Sequence, residues 1–507
     1  MAAEIVRVQG AVLGALSDGT TQSISDAAIV MEKGRVSAVG PADEIRRKYP
    51  RAKVTHFKTG TAFPGLINGH HHIGVTTFQH GVADGPLESW IVRRIAQLTI
   101  DPYLDTLYSA FEMVGSGVTT VLHLYANRTA TAREMHDEAR ACIRAYRKIG
   151  MRVSFAIMFF DQNPIGYCGD GFRDRLNKSE RGALGVWASG GDMDLAEHLA
   201  IVDSLLSEFA GDDAVRIQLA PGNLQWCSDR ALEALAELSM SRELPAHIHF
   251  LETPTQRSYA DWRARGKSPV AHLRSLGFSG SRLTLGHGVW LRRKDMAELV
   301  DAGFSVCHNC SSNLRLFSGI APVRELLSEG INVALGLDEA ALNDDRDMLQ
   351  EMRLAMHLHK VVANEPSSVH LEPGRLLHMA TKGGATTSDF GRQIGQIGLG
   401  CSADFFIFDC DAAAYPAPAE FWTPLELLLH RGRPEHVRAV YVAGEKICEN
   451  GRFTHVNNEE ILAELATKLA AKPLASSNER AILANIGRKL DTAHKQAAQD
   501  AAWFTRG

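Results

Sequence analysis

Between residues 62 and 340 the chain repeats one pattern eight times, a short β-rich run followed by a longer stretch of different periodicity. The runs are AFPGLINGHHH, GVTTVLHLY, MRVSFAIMFF, VRIQLAPG, PAHIHFLET, SRLTLGHGV, FSVCHNC and INVALGLDEA. Intervening segments such as SDRALEALAELSM and RRKDMAELVDAG carry apolar residues at helical spacing. Strands separated by helices run parallel, because a helical crossover returns the chain to the same edge before the next strand begins. Eight such units between residues 63 and 390 predict a (β/α)8 TIM barrel with insertions.

The ends of the chain read differently. AAIVMEKGRVSAVG is two period-two runs around a Lys33-Gly34 turn, and KVTHFKTGTAFP follows in the same manner, which predicts a small antiparallel unit over residues 1–62. The texture returns over residues 391–456 in ADFFIFD and VRAVYVAGEKICENGRFTH, with turns expected at Ala443-Gly444 and Asn450-Gly451. Two β-rich ends around a barrel predict one composite β-sandwich. Residues 457–507 read as amphipathic helices broken at Pro473, expected to pack on the barrel or on a second subunit.

Composition excludes several function classes. A net charge of −5, from 54 basic and 59 acidic residues spread along 507 positions, leaves no basic stripe for a phosphate backbone, so nucleic acid is not an expected partner. The opening residues lack a basic segment followed by an apolar one, and no run of about 18 apolar residues occurs, which predicts a soluble cytoplasmic protein without membrane contact. Eight scattered cysteines fit free thiols. Cys307 and Cys310 form a C-x-x-C pair with no second pair to complete a zinc site, so they are expected to be two small buried residues.

In a TIM barrel the chemistry lies where the strands end. Here those ends carry His70, His71 and His72; His247, His249 and Glu252; His287; His308; and Asp338. Alternation along a strand puts His70 and His72 on one face and turns His71 away. Imidazoles with one carboxylate suit zinc or iron better than calcium or magnesium, and leave a position open for water.

These motifs resemble the amidohydrolase superfamily, in particular its cytosine-deaminase-like branch of guanine-type, adenosine-type and triazine-directed enzymes. PGLINGHHH is similar to the strand 1 signature, HIHFLET to the strand 5 element and TLGHGVWL to the strand 6 histidine. CHNCSSNLRLFSGIAPVRELLSEGINVALGLDE resembles the strand 7 to strand 8 signature, and HMATKGGATT with IGQIGLGCSADFFIFD the return into the sandwich. The resemblance implies His70, His72, His249 and Asp338 as ligands of one divalent metal ion per chain, zinc first and iron second. It places Glu252 and His287 beside a metal-bound water, and it implies a homo-oligomer. VRIQLAPGN ends without the lysine that binuclear relatives carboxylate.

The implied reaction is hydrolytic deamination of a purine-, pterin-, pyrimidine- or triazine-type heterocycle. Hydroxide on the metal attacks the amino-bearing ring carbon, Asp338 takes the water proton, His287 polarises the water, Glu252 protonates the ring nitrogen, and ammonia leaves. The alternatives are opening of a cyclic amide, displacement of an alkylamine or halide, and a non-catalytic scaffold. Pro221 is followed by Gly222 where the adenosine-type branch has Pro-His; Leu337 and Glu339 flank Asp338 unusually; His123 stands where many relatives have an acid; Cys310 replaces a common proline. Trp90, His123, Gln225 and His308 are the expected substrate contacts.

Overall fold

The computed structural model describes residues 3–499, apart from 163–164, 166–171, 173, 189–192, 281 and 362–370. Two sheets organise it, and the strands are numbered along the chain. The first four are β1 (Glu4–Ala15), β2 (Thr21–Glu32), β3 (Arg35–Pro41) and β4 (Lys53–Pro64). The barrel strands are β5 (Leu66–His71), β6 (Val118–Tyr125), β7 (Arg152–Phe159), β8 (Val215–Pro221), β9 (Ala246–Phe250), β10 (Leu283–His287), β11 (Ser305–His308) and β12 (Val333–Leu335). The chain then contributes β13 (Phe405–Asp409), β14 (Val437–Val442), β15 (Glu445–Glu449) and β16 (Arg452–Phe453).

The sheet of β5 to β12 follows chain order and is parallel throughout. The ring closes where Asp338 N donates to His70 O at 2.8 Å and His71 bridges Asp338. This is the TIM barrel. Its strands are covered on both faces, which is why they read as nearly unbroken apolar runs; every residue of β7 is buried. The crossover helices are set by local chemistry. Ala132–Ile149, for example, starts with a Thr131/Glu134 capping box and stops at Gly150, whose φ of 95° ends the helix.

The other sheet has the order β16-β15-β14-β13-β4-β1-β2-β3, so the two chain ends interleave through the β13–β4 pair. One face packs on itself: Val8, Ile29 and Val36 share a core with Phe405, Ile407 and Tyr441. Its hairpins turn at Lys33-Gly34, Ala443-Gly444 and Asn450-Gly451, each with positive φ at both positions, the geometry whose twist matches the flanking strands. The N-terminal unit is not wholly antiparallel, because β1 pairs with β4 in parallel. β3 and the helix Ala42–Lys48 carry the chain back across the sheet between those two strands.

Arg152 of β7 joins the sheets: its Nε donates to Asp404 Oδ2 at 2.6 Å and its Nη2 to Ser402 Oγ at 2.5 Å. Two helices follow β16, Asn458–Ala470 and Ser477–Gln499, separated around Pro473, and both pack on the barrel's own additions. Leu465 joins Val75 and Leu104, while Leu483, Ile486 and Leu490 pack with Val92 of the helix Leu87–Arg93. The end of the predicted helical segment, residues 500–507, lies outside the described residues. Among the described residues no helix is long and apolar enough to cross a membrane.

Candidate functional site

At the C-terminal rim of the barrel, β5 and β9 bring three imidazoles to one point. His70 Nε2 lies 3.0 Å from His72 Nε2, which lies 3.1 Å from His249 Nε2. Asp338 Oδ1, just beyond β12, is 3.3 Å from His72 Nε2 and 3.7 Å from His70 Nε2. The outer ring nitrogens explain this orientation. His72 Nδ1 donates to Leu124 O at 2.7 Å and His249 Nδ1 to Gly222 O at 3.0 Å. A carbonyl only accepts, so both Nδ1 atoms carry hydrogen and both Nε2 lone pairs face inward. His70 Nδ1 makes the equivalent outward contact with His247 Nε2 at 2.8 Å.

Burial first, and then the neighbouring histidines, push His70 and His249 well below the usual imidazole range. They are neutral, which is the state a metal requires of an imidazole. Three converging lone pairs and a carboxylate would repel one another with nothing between them. The donor atoms of His70, His72 and Asp338 lie within 4.8 Å of one another, as do those of His70, His249 and His287, close enough for a metal ion to sit among them.

The groups beside this cluster are held as firmly. His287 Nδ1 donates to Asn313 Oδ1 at 2.9 Å. Its buried Nε2 has no hydrogen-bond partner and points between Glu252 Oε2, at 3.7 Å, and Asp338 Oδ2, at 3.8 Å. Ser312 Oγ donates to Asp338 Oδ2 at 2.6 Å. Burial, followed by the charges of Asp338 and Glu88, raises the Glu252 carboxyl well above its usual value. His287 and Asp338 both sit in the left-handed backbone region, at φ 71° and 54°, a conformation that costs on the order of 1–3 kcal/mol per residue. The barrel closure through Asp338 N holds one of them there.

A cavity of about 320 Å³ opens over His72, His249, His287, Glu252 and Asp338. Its walls include Trp90, Tyr125, Phe160, Trp187 and Trp226. Glu339 forms part of the rim, paired to Arg94 at 2.8 Å, and the Arg94 guanidinium lies 4.9 Å from the Trp90 ring. Of the expected substrate contacts, Trp90 faces the cavity. His123 borders it with both nitrogens engaged: Nε2 donates to His72 O at 2.7 Å and Nδ1 accepts from Tyr146 OH at 3.0 Å.

Gln225 and His308 do not line the cavity. In the bend after β8 it is Trp226 that lines the cavity, while Gln225 is buried away from it. The His308 ring reaches Cys310 and His359 instead. At Gly222 a Cβ would fall 2.8 Å from the Phe160 ring and 3.1 Å from Phe159 O, so a side chain there would have to displace that ring.

Sequence reasoning assigned no role to His247, Ser312 or Asn313. His247 was within reach, since alternation places it on the same face of β9 as His249. Ser312 and Asn313 follow β11 in the helix Cys310–Arg315, whose direction no local pattern reveals.

The chain is similar to known proteins at several levels. Residues 27–52 match an imidazolonepropionase-like composite domain of bacteria. A 5-methylthioadenosine/S-adenosylhomocysteine deaminase of Syntrophobacter fumaroxidans is 30% identical over 465 residues, covering 91% of this chain and 96% of that protein. An adenosine deaminase from Xanthomonas campestris with bound zinc has the same fold, with a TM-score of 0.77 at 24% identity over 92% of this chain and 98% of its own. So does an atrazine chlorohydrolase from Arthrobacter aurescens complexed with zinc, with a TM-score of 0.77 at 24% identity over 91% and 99%. Residues 61–447, from the end of β4 through the whole barrel to β15, match the amidohydrolase family, and the chain belongs to it.

Proposed function

We propose that the chain is a metal-dependent aminohydrolase that replaces the amino group of a nitrogen heterocycle with oxygen from water and releases ammonia. The observation that carries the reading is the convergence of the His72 and His249 lone pairs, with Asp338 Oδ1 3.3 Å from His72 Nε2 and the buried Glu252 carboxyl beside His287. His70, His72 and His249 through Nε2 and Asp338 through Oδ1 are the donors that would hold one ion, zinc by donor set and iron as the alternative. Bound there, the ion supplies the Lewis acidity that makes a water acidic near neutral pH.

The residues of the chain then divide the proton work. His287 Nε2, free of any other hydrogen bond, accepts from the attacking water and orients it. Asp338 takes a proton from that water as its oxygen bonds to the amino-bearing carbon. Glu252 gives its proton to the adjacent ring nitrogen, which receives the electron pair of the opened C=N bond. Asp338 passes its proton to the amino group, the C–N bond breaks, and ammonia departs. As the carbonyl forms, the Glu252 carboxylate takes the hydroxyl proton and returns to its starting state.

Trp90, Phe160 and Trp226 wall a slot suited to a flat ring of purine, pterin, pyrimidine or triazine type. The substrates named for the Syntrophobacter relative put adenine-bearing compounds first for testing, while Gly222 sets this pocket apart from one with an imidazole at that position. The same site can displace a halide or alkylamine or open a cyclic amide, and a chlorohydrolase shares the fold as closely as a deaminase does. A closed homo-oligomer belongs to this reading, and light scattering in solution tests it.

The deciding experiment is ammonia release from a panel of aminated heterocycles, with Asp338→Asn as the blank. Ammonia from one ring class, absent in the variant, supports deamination. Substrate loss without ammonia moves the assignment to halide, alkylamine or cyclic-amide hydrolysis, which product masses separate.

A further inference from the structure

Outside the cavity, behind β11, lies a second cluster of donors. His308 Nε2 is 2.7 Å from Cys310 Sγ and 3.0 Å from His359 Nε2, and one donor atom from each of these residues falls within 4.8 Å of the others. His308 and Cys310 are fully buried and His359 is 3% exposed. We propose that His308, Cys310 and His359 form a second metal site, a structural one that binds a zinc-type ion and anchors the helix Cys310–Arg315 to the helix Met348–Val361.

An imidazole nitrogen presents either one proton or one lone pair along a single in-plane direction. His308 Nε2 therefore cannot satisfy both a thiol and a second imidazole at these distances. His308 Nδ1 gains nothing on its other side, since it has no hydrogen-bond partner. Two ring nitrogens and a sulfur meeting at one buried point are the donor set of zinc, whose tetrahedral shell would spread them to about 3.3–3.6 Å. Glu351 stands beside Cys310: its Oε1 accepts from Ser311 N at 3.1 Å, and its buried Oε2 has no hydrogen-bond partner. A water or that carboxylate completes four donors. The C-x-x-C spacing does not describe the cluster, because Cys307 Sγ turns instead to Asn309 Oδ1 at 3.6 Å.

The site has a consequence for the first one. The helix it anchors continues from Cys310 into Ser312 and Asn313, which hold Asp338 and His287. An ion behind β11 is thus a positioning device for the catalytic pair, two and three residues removed from the anchor.

Metal content tests this without reference to turnover. Purified protein exposed to excess zinc and desalted is expected to retain two equivalents per chain by mass spectrometry. Cys310→Ser and His359→Gln are each expected to retain one, and His249→Ala to lose the other. After exchange into cobalt(II), a sulfur-to-metal charge-transfer band in the near ultraviolet is expected in the wild type and in His249→Ala, and is expected to vanish in Cys310→Ser. The catalytic cluster has no sulfur donor and cannot produce that band. A cobalt-exchanged wild type without the band overturns the second site even if no variant folds. A band that survives Cys310→Ser and disappears in Cys307→Ala overturns the ligand assignment. Failure of the deaminase reading would leave all of these outcomes unchanged.

Discussion

The two sheets have equal strand numbers, and both bury apolar cores, but the barrel sheet alone also gathers buried ionisable residues at one rim. The composite sheet encloses Val8, Ile29, Phe405 and Ile407, while the barrel sheet ends in buried His70, His249, Glu252, His287 and Asp338. Strand direction accounts for the difference. In the barrel every strand finishes at the same rim, so polar side chains from β5, β9, β10 and the turn after β12 can converge there while the strand centres stay apolar. In the mostly antiparallel sheet successive strands finish at opposite edges, and their ends never gather. Chemistry therefore gathers at the barrel rim, apart from the apolar cores that both sheets bury.

Four measurements would break or sharpen that division. The largest effect is expected at the rim: Asp338→Asn should lower turnover about 10²–10⁴-fold, the range for loss of an acid–base group, with little change in the unfolding midpoint. A variant retaining a tenth of the activity would remove Asp338 from the reaction. Next comes the seam between the sheets. Arg152→Ala leaves Asp404, only 1% exposed in its side chain, without its partner and should cost about 3–5 kcal/mol in denaturant unfolding while leaving KM unchanged. A loss below about 1 kcal/mol would show that the sheets are held together by apolar packing alone.

Asn313→Ala comes third. It frees the His287 ring and should reduce kcat about 10–100-fold with metal content intact, and a parallel loss of metal would mean that the residue supports folding of the rim instead. The smallest effect concerns Glu112, which burial raises to about 7. An acid whose folded value exceeds its unfolded one binds the proton more tightly in the native state, so stability falls as pH rises from the unfolded value toward about 7 and levels off above it. Glu112→Gln should flatten that slope by about 1–2 kcal/mol, after allowance for partial exposure, and stability profiles that stay parallel across the window would refute the assignment.

The barrel was legible because its signals are local. Each strand is a compact apolar run, each hairpin of the other sheet carries a Gly at its turn, and alternation alone separates His70 and His72 from His71, which turns to Ser109 Oγ at 3.2 Å. The parts that escaped are those fixed by distant partners. The parallel pairing of β1 with β4 depends on how β3 and the helix Ala42–Lys48 cross the sheet, and no residue of β1 announces it. His308 stands at a strand end like the true rim histidines, yet its partner His359 lies on a helix formed much later in the chain. Gln225 and Trp226 are adjacent in a bend without period, so which of them faces the cavity is decided by packing with Phe160 rather than by spacing.

The helix Ser477–Gln499 contributes nothing to the cavity lining among the described residues, yet it backs the helix that presents Trp90. For anyone engineering the protein, that makes the helix Ser477–Gln499 a brace and not a spare tail. Trimming it would slacken one wall of the slot and admit solvent, and the fault would surface as poor selectivity in an otherwise well-behaved preparation.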